Sequence, residues 1–170
     1  MKQIFLYIIG VVIFIIVVGL LVKNNKITGV GIPAPTSTSA LPSTNLKTIS
    51  VGGTSIKVAV AKSEDEKRKG LSGVSLMAQD QGMIFDYKDQ GLRPAFWMKD
   101  MLFPLDFIWI KAGKVIEVTT NVSQPVPGTR DADLKIYLPK ESVDYILEVN
   151  SGFVGKNNIK VGTTVDTSQL

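Results

Sequence analysis

The sequence predicts a mainly β domain with short helices, preceded by one transmembrane α-helix and a flexible tether. Three features indicate this fold class: an uncharged apolar stretch at residues 3–22, a segment rich in proline, serine and threonine up to residue 46, and short apolar runs separated by turn residues after it. The chain has 170 residues, which fits one domain with an appendage, because a single core is commonly built from about 100 to 150 residues.

Residues 3–22 are long enough to cross a bilayer as one helix, since about 1.5 Å per residue covers roughly 30 Å of hydrocarbon. The stretch exceeds the apolar region of a cleaved signal peptide, so we expect residues 1–22 to remain as a signal anchor in the lipid bilayer. Lys2 nearly balances Lys23 and Lys26, and the flanking charges therefore leave the orientation open. The short N-terminal tail favours a β domain on the extracytoplasmic side.

Residues 23–46 form the predicted linker, and residues 47–170 form the β domain. The linker holds three prolines and a run of serine and threonine without a hydrophobic period, a composition that does not fold by itself. Of the 19 basic residues, three flank the apolar stretch, which leaves 16 against 15 acidic residues in the β domain. A domain so close to neutrality lacks the basic surface that phosphate binding requires, and we expect no nucleic-acid partner.

The β domain opens with a predicted hairpin over 49–61, because Gly52 and Gly53 supply a tight turn between two apolar runs. A short helix then follows: Ser63 and Glu66 match a capping box, acidic residues fill the first turn, basic residues fill the last, and Gly70 ends the helix. This arrangement gives the charges of the helix a complete structural explanation.

Five further strands are predicted from short apolar runs, with a hairpin turn at 111–113, a long loop at 122–139 and one irregular helical turn at 151–158. The predicted strands cover residues 82–86, 95–99, 105–110, 114–120 and 143–149. Strand 105–110 is apolar on both faces apart from Asp106, so we expect it to be central and covered on both sides.

Several motifs in this domain occur in the order found in one family. They are FWMKDM at 96–101, FPLD at 103–106, EKRKGL at 66–71, GMIF at 82–85, LEV at 147–149 and IKVG at 159–162. On these motifs the sequence resembles the bacterial and archaeal family known as domain of unknown function 192, over about residues 57–166. The resemblance implies a compact β-sandwich or jelly-roll-like barrel with short helices, and it implies no activity.

Three positions depart from the pattern of that family. Lys67 stands where the family usually has arginine, Val74 where an arginine often follows, and Asp100-Met101 where Asn-Thr is common. Lysine cannot form the bidentate fork of an arginine, so an anion held by those arginines elsewhere would be bound more weakly here.

The absence of histidine and cysteine excludes several kinds of chemistry. Ser-His-Asp and Cys-His catalysis, zinc sites built from Cys or His, disulfides and c-type haem attachment are all ruled out. A Ser72–Lys99 pair is the one nucleophile arrangement left open, and no motif supports it. We expect no cofactor and no metal.

The remaining candidate site consists of Trp97, Met98, Lys99 and Asp106. One interpretation places Phe96, Met98, Phe107 and Trp109 in the core, as is usual for large apolar residues in central strands. The other is a ligand pocket with Trp97 as a platform and with Lys99 and Asp106 as its polar groups. In either case a buried Asp106 needs a partner, for which the sequence suggests Lys99, or Arg93 or Lys67 in its place.

Three function classes follow, and whether the domain is an enzyme stays uncertain. The first is a non-catalytic, membrane-tethered module that binds a small molecule, an envelope component or a protein partner. The second is a hydrolase or transferase that uses carboxylates and Lys99, and the third is a structural envelope subunit. A polar-lined cavity would favour binding, two facing carboxylates would favour an enzyme, and a closed core would favour the structural role.

Overall fold

A computed structural model describes residues 40–41 and 45–170 and shows a mainly β domain, as predicted. Seven strands and two short α-helices follow one another along the described chain. In order they are β1 Lys47–Val51, β2 Thr54–Ala61, α1 Glu64–Lys69, β3 Gln81–Asp86, β4 Leu105–Lys111, β5 Lys114–Val122, β6 Tyr145–Asn150, α2 Phe153–Lys156 and β7 Val165–Asp166, with a 3-10 turn at Asp131–Asp133 between β5 and β6.

The seven strands form one sheet that nearly closes into a barrel. The strand order is β5-β4-β6-β3-β2-β1-β7, and β2–β3 is the parallel pair in it. The sheet curls so that β7 meets the start of β5, where Lys114 bridges Thr164 and the Val115 amide donates to the Thr163 carbonyl at 2.9 Å. The family resemblance implies either a β-sandwich or a jelly-roll-like barrel. The single curled sheet agrees with a barrel.

Two apolar clusters lie on the two faces of this sheet. The interior cluster draws on all seven strands, for example through Ile108 and Ile110 of β4, and it fills the barrel. The outer cluster takes the alternate residues Phe107 and Trp109 of β4, together with loop residues from 71–77 and 96–101 that cover them. Because both faces are covered, β4 is buried from Leu105 to Ile110, which confirms the prediction of a central strand.

The local turn chemistry also appears as predicted. Gly52 and Gly53 connect β1 to β2 with φ values of 59° and 84°. The Ser63–Glu66 capping box starts α1, and Gly70 follows its last residue with a φ of 49°. The turn at 111–113 joins β4 to β5.

Two elements differ from the sequence prediction. Residues 95–99 are not a strand: Phe96 alone pairs there, with Tyr137, and the segment lies across the outer cluster with alternate residues buried. Apolar and polar residues alternate in any extended segment that covers an apolar face. The sequence pattern therefore could not distinguish a strand of the sheet from an extended loop. β7 was not predicted, because a strand of two residues is too short to show any period.

The predicted anchor and most of the predicted linker lie outside the described residues. Within residues 40–41 and 45–170, no helix is long and apolar enough to cross a membrane.

Candidate functional site

The structure does not bring the four predicted site residues together. Asp106 is fully buried on the face of β4 that looks into the barrel, where its carboxylate accepts hydrogen bonds from the amides of Asn121 at 2.8 Å and Val154 at 3.0 Å. The predicted partnership with Lys99 is therefore wrong. The substitutes also fail, because Arg93 donates to the Pro139 carbonyl and Lys67 pairs elsewhere.

Lys99 lies at the surface, where its ammonium forms an ion pair with Asp131. The hydrogen bond that Lys99 donates to Asp131, followed by the negative charge of Asp131, raises the pKa of Lys99 above the ordinary lysine value. The hydroxyl of Ser72 donates a hydrogen bond to the backbone carbonyl of Lys99 at 2.9 Å and not to its side-chain amine. This geometry gives no support to a Ser72–Lys99 nucleophile.

Met98 and Trp97 point to opposite sides of their segment. Met98 is buried in the outer cluster with Phe96, Phe107 and Trp109, as the core interpretation predicts. Trp97 is 43% exposed, and it lines a cavity beside α1. Of the predicted site residues, Trp97 alone borders this cavity.

Glu148 is the polar residue buried at that cavity. It lies in the middle of β6, opposite Met83 of β3 and Phe107 of β4, and is 4% exposed. Its Oε2 atom is buried without a hydrogen-bond partner, the only such side-chain atom within the part of the chain that the structure describes. Burial raises the pKa of Glu148 to about 8, because removal from water disfavours the ionised carboxylate.

The cavity around Glu148, called here the Glu148 pocket, has a volume of about 230 Å³. Its walls come from α1 and residues 70–72 after it, from the end of β3 and the residue that follows it, from segment 95–97 and from β6. Among its lining residues are Glu64, Lys67, Tyr87, Phe96, Trp97 and Glu148.

Lys67 turns into this pocket although it belongs to the last turn of α1. Its side chain is 5% exposed, and its ammonium lies 3.2 Å from Glu64 Oε1 and 4.4 Å from the centroid of the Tyr87 ring. The helix dipole explains a basic residue in the last turn of α1, and the structure shows in addition that the Lys67 side chain enters the pocket. Burial, followed by the charges of Glu64 and Glu148, raises the pKa of Tyr87 to about 12.

Aromatic packing fixes the segment that carries Trp97. The Phe96 ring meets Phe85 edge-on, with centroids 4.8 Å apart, and it contacts Phe107 and Trp109 at 6.0 and 5.8 Å. Such edge-to-face pairs stabilise one ring arrangement over others. Trp97 is thus held at the pocket by its neighbour rather than by a strand.

The sequence profile of DUF192, described as Uncharacterized ACR, matches residues 47–167. The chain belongs to the DUF192 family. The motifs that suggested this family from the sequence lie inside the matched range, and Glu148 stands in one of them.

Two solved structures resemble the DUF192 domain of this chain. One, from Sinorhizobium meliloti 1021, is provisionally named a transcription regulator; it is 24% identical with a TM-score of 0.64 and covers 74% of this chain and 96% of its own. The other, a protein of unknown function from Novosphingobium aromaticivorans, is 22% identical with a TM-score of 0.64 and covers 78% and 94%. At this identity the likeness shows a common fold. No curated protein matches the sequence.

A second and larger surface cavity of about 590 Å³ lies between residues 99–102 and the loop 124–134. It contains Lys99 and Asp131, which neutralise each other, and no buried polar atom without a partner. Across residues 40–41 and 45–170, no three acidic side chains come together as metal ligands would. The Glu148 pocket is therefore the stronger candidate site of the described domain.

Sequence reasoning missed Glu148 even though the signal was present. The strand Tyr145–Asn150 is apolar apart from this glutamate and the terminal asparagine, the same pattern that drew attention to Asp106. A carboxyl in such a strand needs a partner or a raised pKa. Asp106 has partners, and Glu148 has the raised pKa.

Proposed function

We propose that this DUF192 domain is a non-catalytic module that binds a small molecule in the Glu148 pocket. The observation that carries the proposal is the Oε2 atom of Glu148, buried without a partner at the wall of a cavity. Native proteins pair nearly all their buried polar atoms, so an exception at a cavity indicates a group that waits for a ligand.

The pocket also has the composition of a binding site. Tyr87, Phe96 and Trp97 are aromatic, and Glu148 offers a polar atom without a protein partner, in a pocket that the Lys67–Glu64 ion pair also lines. A purely structural subunit has no need of such a cavity. The alternative of a hydrolase or transferase that uses Lys99 loses support, because the Lys99 ammonium is engaged by Asp131.

A thermal-shift screen of small polar aromatic fragments against the full-length chain tests this proposal. A fragment at ten times its Kd stabilises the folded state by about 1.4 kcal/mol and raises the melting temperature. We expect Glu148→Leu to abolish the shift, whereas Glu141→Leu, at an exposed glutamate, leaves it unchanged. If every fragment that binds is indifferent to Glu148→Leu, binding occurs elsewhere and the proposal fails.

We also propose that residues 1–22 anchor this module in the membrane, with the domain on the extracytoplasmic side of the tether 23–46. The support is the uncharged apolar stretch at 3–22. Protease added to intact spheroplasts should degrade the domain from residue 47 onward. Protection of the domain until the cells are lysed would reverse this topology.

A further inference from the structure

We propose that the Glu148 pocket takes a small, uncharged, planar ligand whose edge carries an N–H donor beside a carbonyl acceptor, as in a primary carboxamide or a lactam. This inference rests on the proposed binding function and names the chemical class of its ligand. It follows from the size of the pocket, the hydrogen-bond donor and acceptor of its buried carboxyl group, the charges around it and the aromatic residues in its walls.

The size of the pocket limits the ligand to about one ring with a polar substituent. Its volume is about 230 Å³. An apolar cavity of about 150 Å³ in another protein holds a benzene molecule. The difference leaves room for a single planar group such as an amide. A large cofactor or an oligosaccharide would not fit.

The carboxyl of Glu148 determines the polar edge of the ligand. A protonated carboxyl presents one O–H donor and one carbonyl acceptor side by side, and burial keeps Glu148 largely protonated at neutral pH. An amide edge presents the complementary acceptor and donor, so one contact satisfies both atoms. An ammonium offers donors only and a carboxylate offers acceptors only, so each leaves half of the carboxyl unmatched.

The charges around the pocket also favour a neutral ligand. Lys67, Arg68 and Lys69 of α1 line it, and a cationic ligand would lie beside them. An anionic ligand finds Lys67 already paired with Glu64 at 3.2 Å, and its negative charge would lie beside the Glu64 carboxylate that also lines the pocket. A neutral amide meets neither repulsion.

The walls of the pocket suit a flat ligand. The aromatic residues Tyr87, Phe96 and Trp97 line the pocket, and Trp97 keeps 43% of its surface exposed. Aromatic rings contact other planar groups in stacked or edge-on arrangements, which stabilise a pair beyond simple area burial. A planar amide therefore combines the polar edge with faces that these rings can cover.

Three probes of nearly equal shape test the ligand class: benzamide, benzoate and benzamidinium, titrated into the full-length chain by calorimetry at pH 7. We expect benzamide to bind at least tenfold more tightly than either charged analogue. Glu148→Gln should keep benzamide binding within about threefold, because a glutamine side chain also offers a donor beside an acceptor. Glu148→Leu should weaken it at least tenfold.

The pH dependence of benzamide binding distinguishes the contribution of the Glu148 carboxyl group from that of the neighbouring groups. Benzamide affinity should fall about tenfold between pH 6 and pH 9 as Glu148 ionises. The other charged or titratable groups that face the pocket are Glu64, Lys67, Arg68, Lys69 and Tyr87. Their contribution remains in Glu148→Gln, for which we expect an affinity that is flat over the same range.

Each other outcome contradicts the ligand class. Tighter binding of benzamidinium that is lost in Glu148→Gln would mean a cation site, and tighter binding of benzoate would mean an anion site; in both cases the pocket still binds a small molecule. If none of the three probes binds at 10 mM (about tenfold above a weak fragment Kd of ~1 mM), the amide class is wrong. The fragment screen with Glu148→Leu then decides the proposed binding function separately.

Discussion

We expect Glu148→Gln to be more stable than the wild-type protein by about 4 kcal/mol at pH 9, and nearly equal to it at pH 4.5. The pKa of Glu148 is about 8 in the folded state and near the ordinary glutamate value of 4.5 in the unfolded state. Between these values the folded protein binds the extra proton. The free energy of unfolding of the wild type therefore falls as the pH rises through this window, and it levels off above pH 8.

The composition of the chain makes this window easy to interpret. Without histidine or cysteine, the α-amino group is the main other group expected to titrate between pH 5 and pH 9, and it is common to both proteins. Guanidinium melts of both proteins across this range measure the effect, with Glu141→Gln as a control at an exposed glutamate. A wild-type stability that does not change with pH would show that Glu148 is ionised or hydrated in the folded state.

Asp106→Ala should destabilise the protein by about 3 to 5 kcal/mol. The carboxylate of Asp106 accepts hydrogen bonds from the amides of Asn121 and Val154. These bonds connect β4 to the end of β5 and to the start of α2. Removal of the carboxylate leaves two amides without an acceptor, each at a cost of about 1 to 3 kcal/mol, and opens a small cavity. Asp106→Asn, which keeps one acceptor oxygen, should lose roughly half as much.

Lys99→Met supplies the matched control for that result. The ammonium of Lys99 pairs with Asp131 at the surface, where such pairs contribute about 0 to 1 kcal/mol. In denaturant melts we expect the double mutant Asp106→Ala/Lys99→Met to show additive losses, with a coupling energy near zero. A coupling above 1 kcal/mol (about twice the ~0.5 kcal/mol scatter of additivity) would mean that the two side chains interact after all.

The correct predictions are those that depend on neighbours in sequence. The two-glycine hairpin and the Ser63–Glu66 capping box are closed within a few residues, so the sequence holds all their determinants. The burial of Phe107 and Trp109 follows from their size and from a strand that is apolar on both faces. These features needed no knowledge of which strands are neighbours.

The errors concern partners that are distant in sequence. The rule that a buried Asp106 needs a partner was right, but the partners are backbone amides, which every residue except proline carries and which the sequence therefore does not reveal. Lys67 was suggested as a substitute partner of Asp106, but its ammonium pairs with Glu64 and packs over Tyr87. The Glu148 pocket could not be predicted without knowing that β6 pairs with β3 and β4.

The closure of the barrel has a consequence for the order in which the chain folds during synthesis. β1 is among the first parts of the domain to leave the ribosome, yet one of its edges pairs with β7, where Ser50 lies opposite Asp166. Until residue 166 has emerged, that edge stays open while the hairpin of β1 and β2 can already form. Contacts between residues so far apart in sequence slow folding, and an open strand edge is prone to pair with other chains. The nascent domain is thus most exposed to aggregation just before its last strand arrives, and a chaperone that shields this edge would act in that interval.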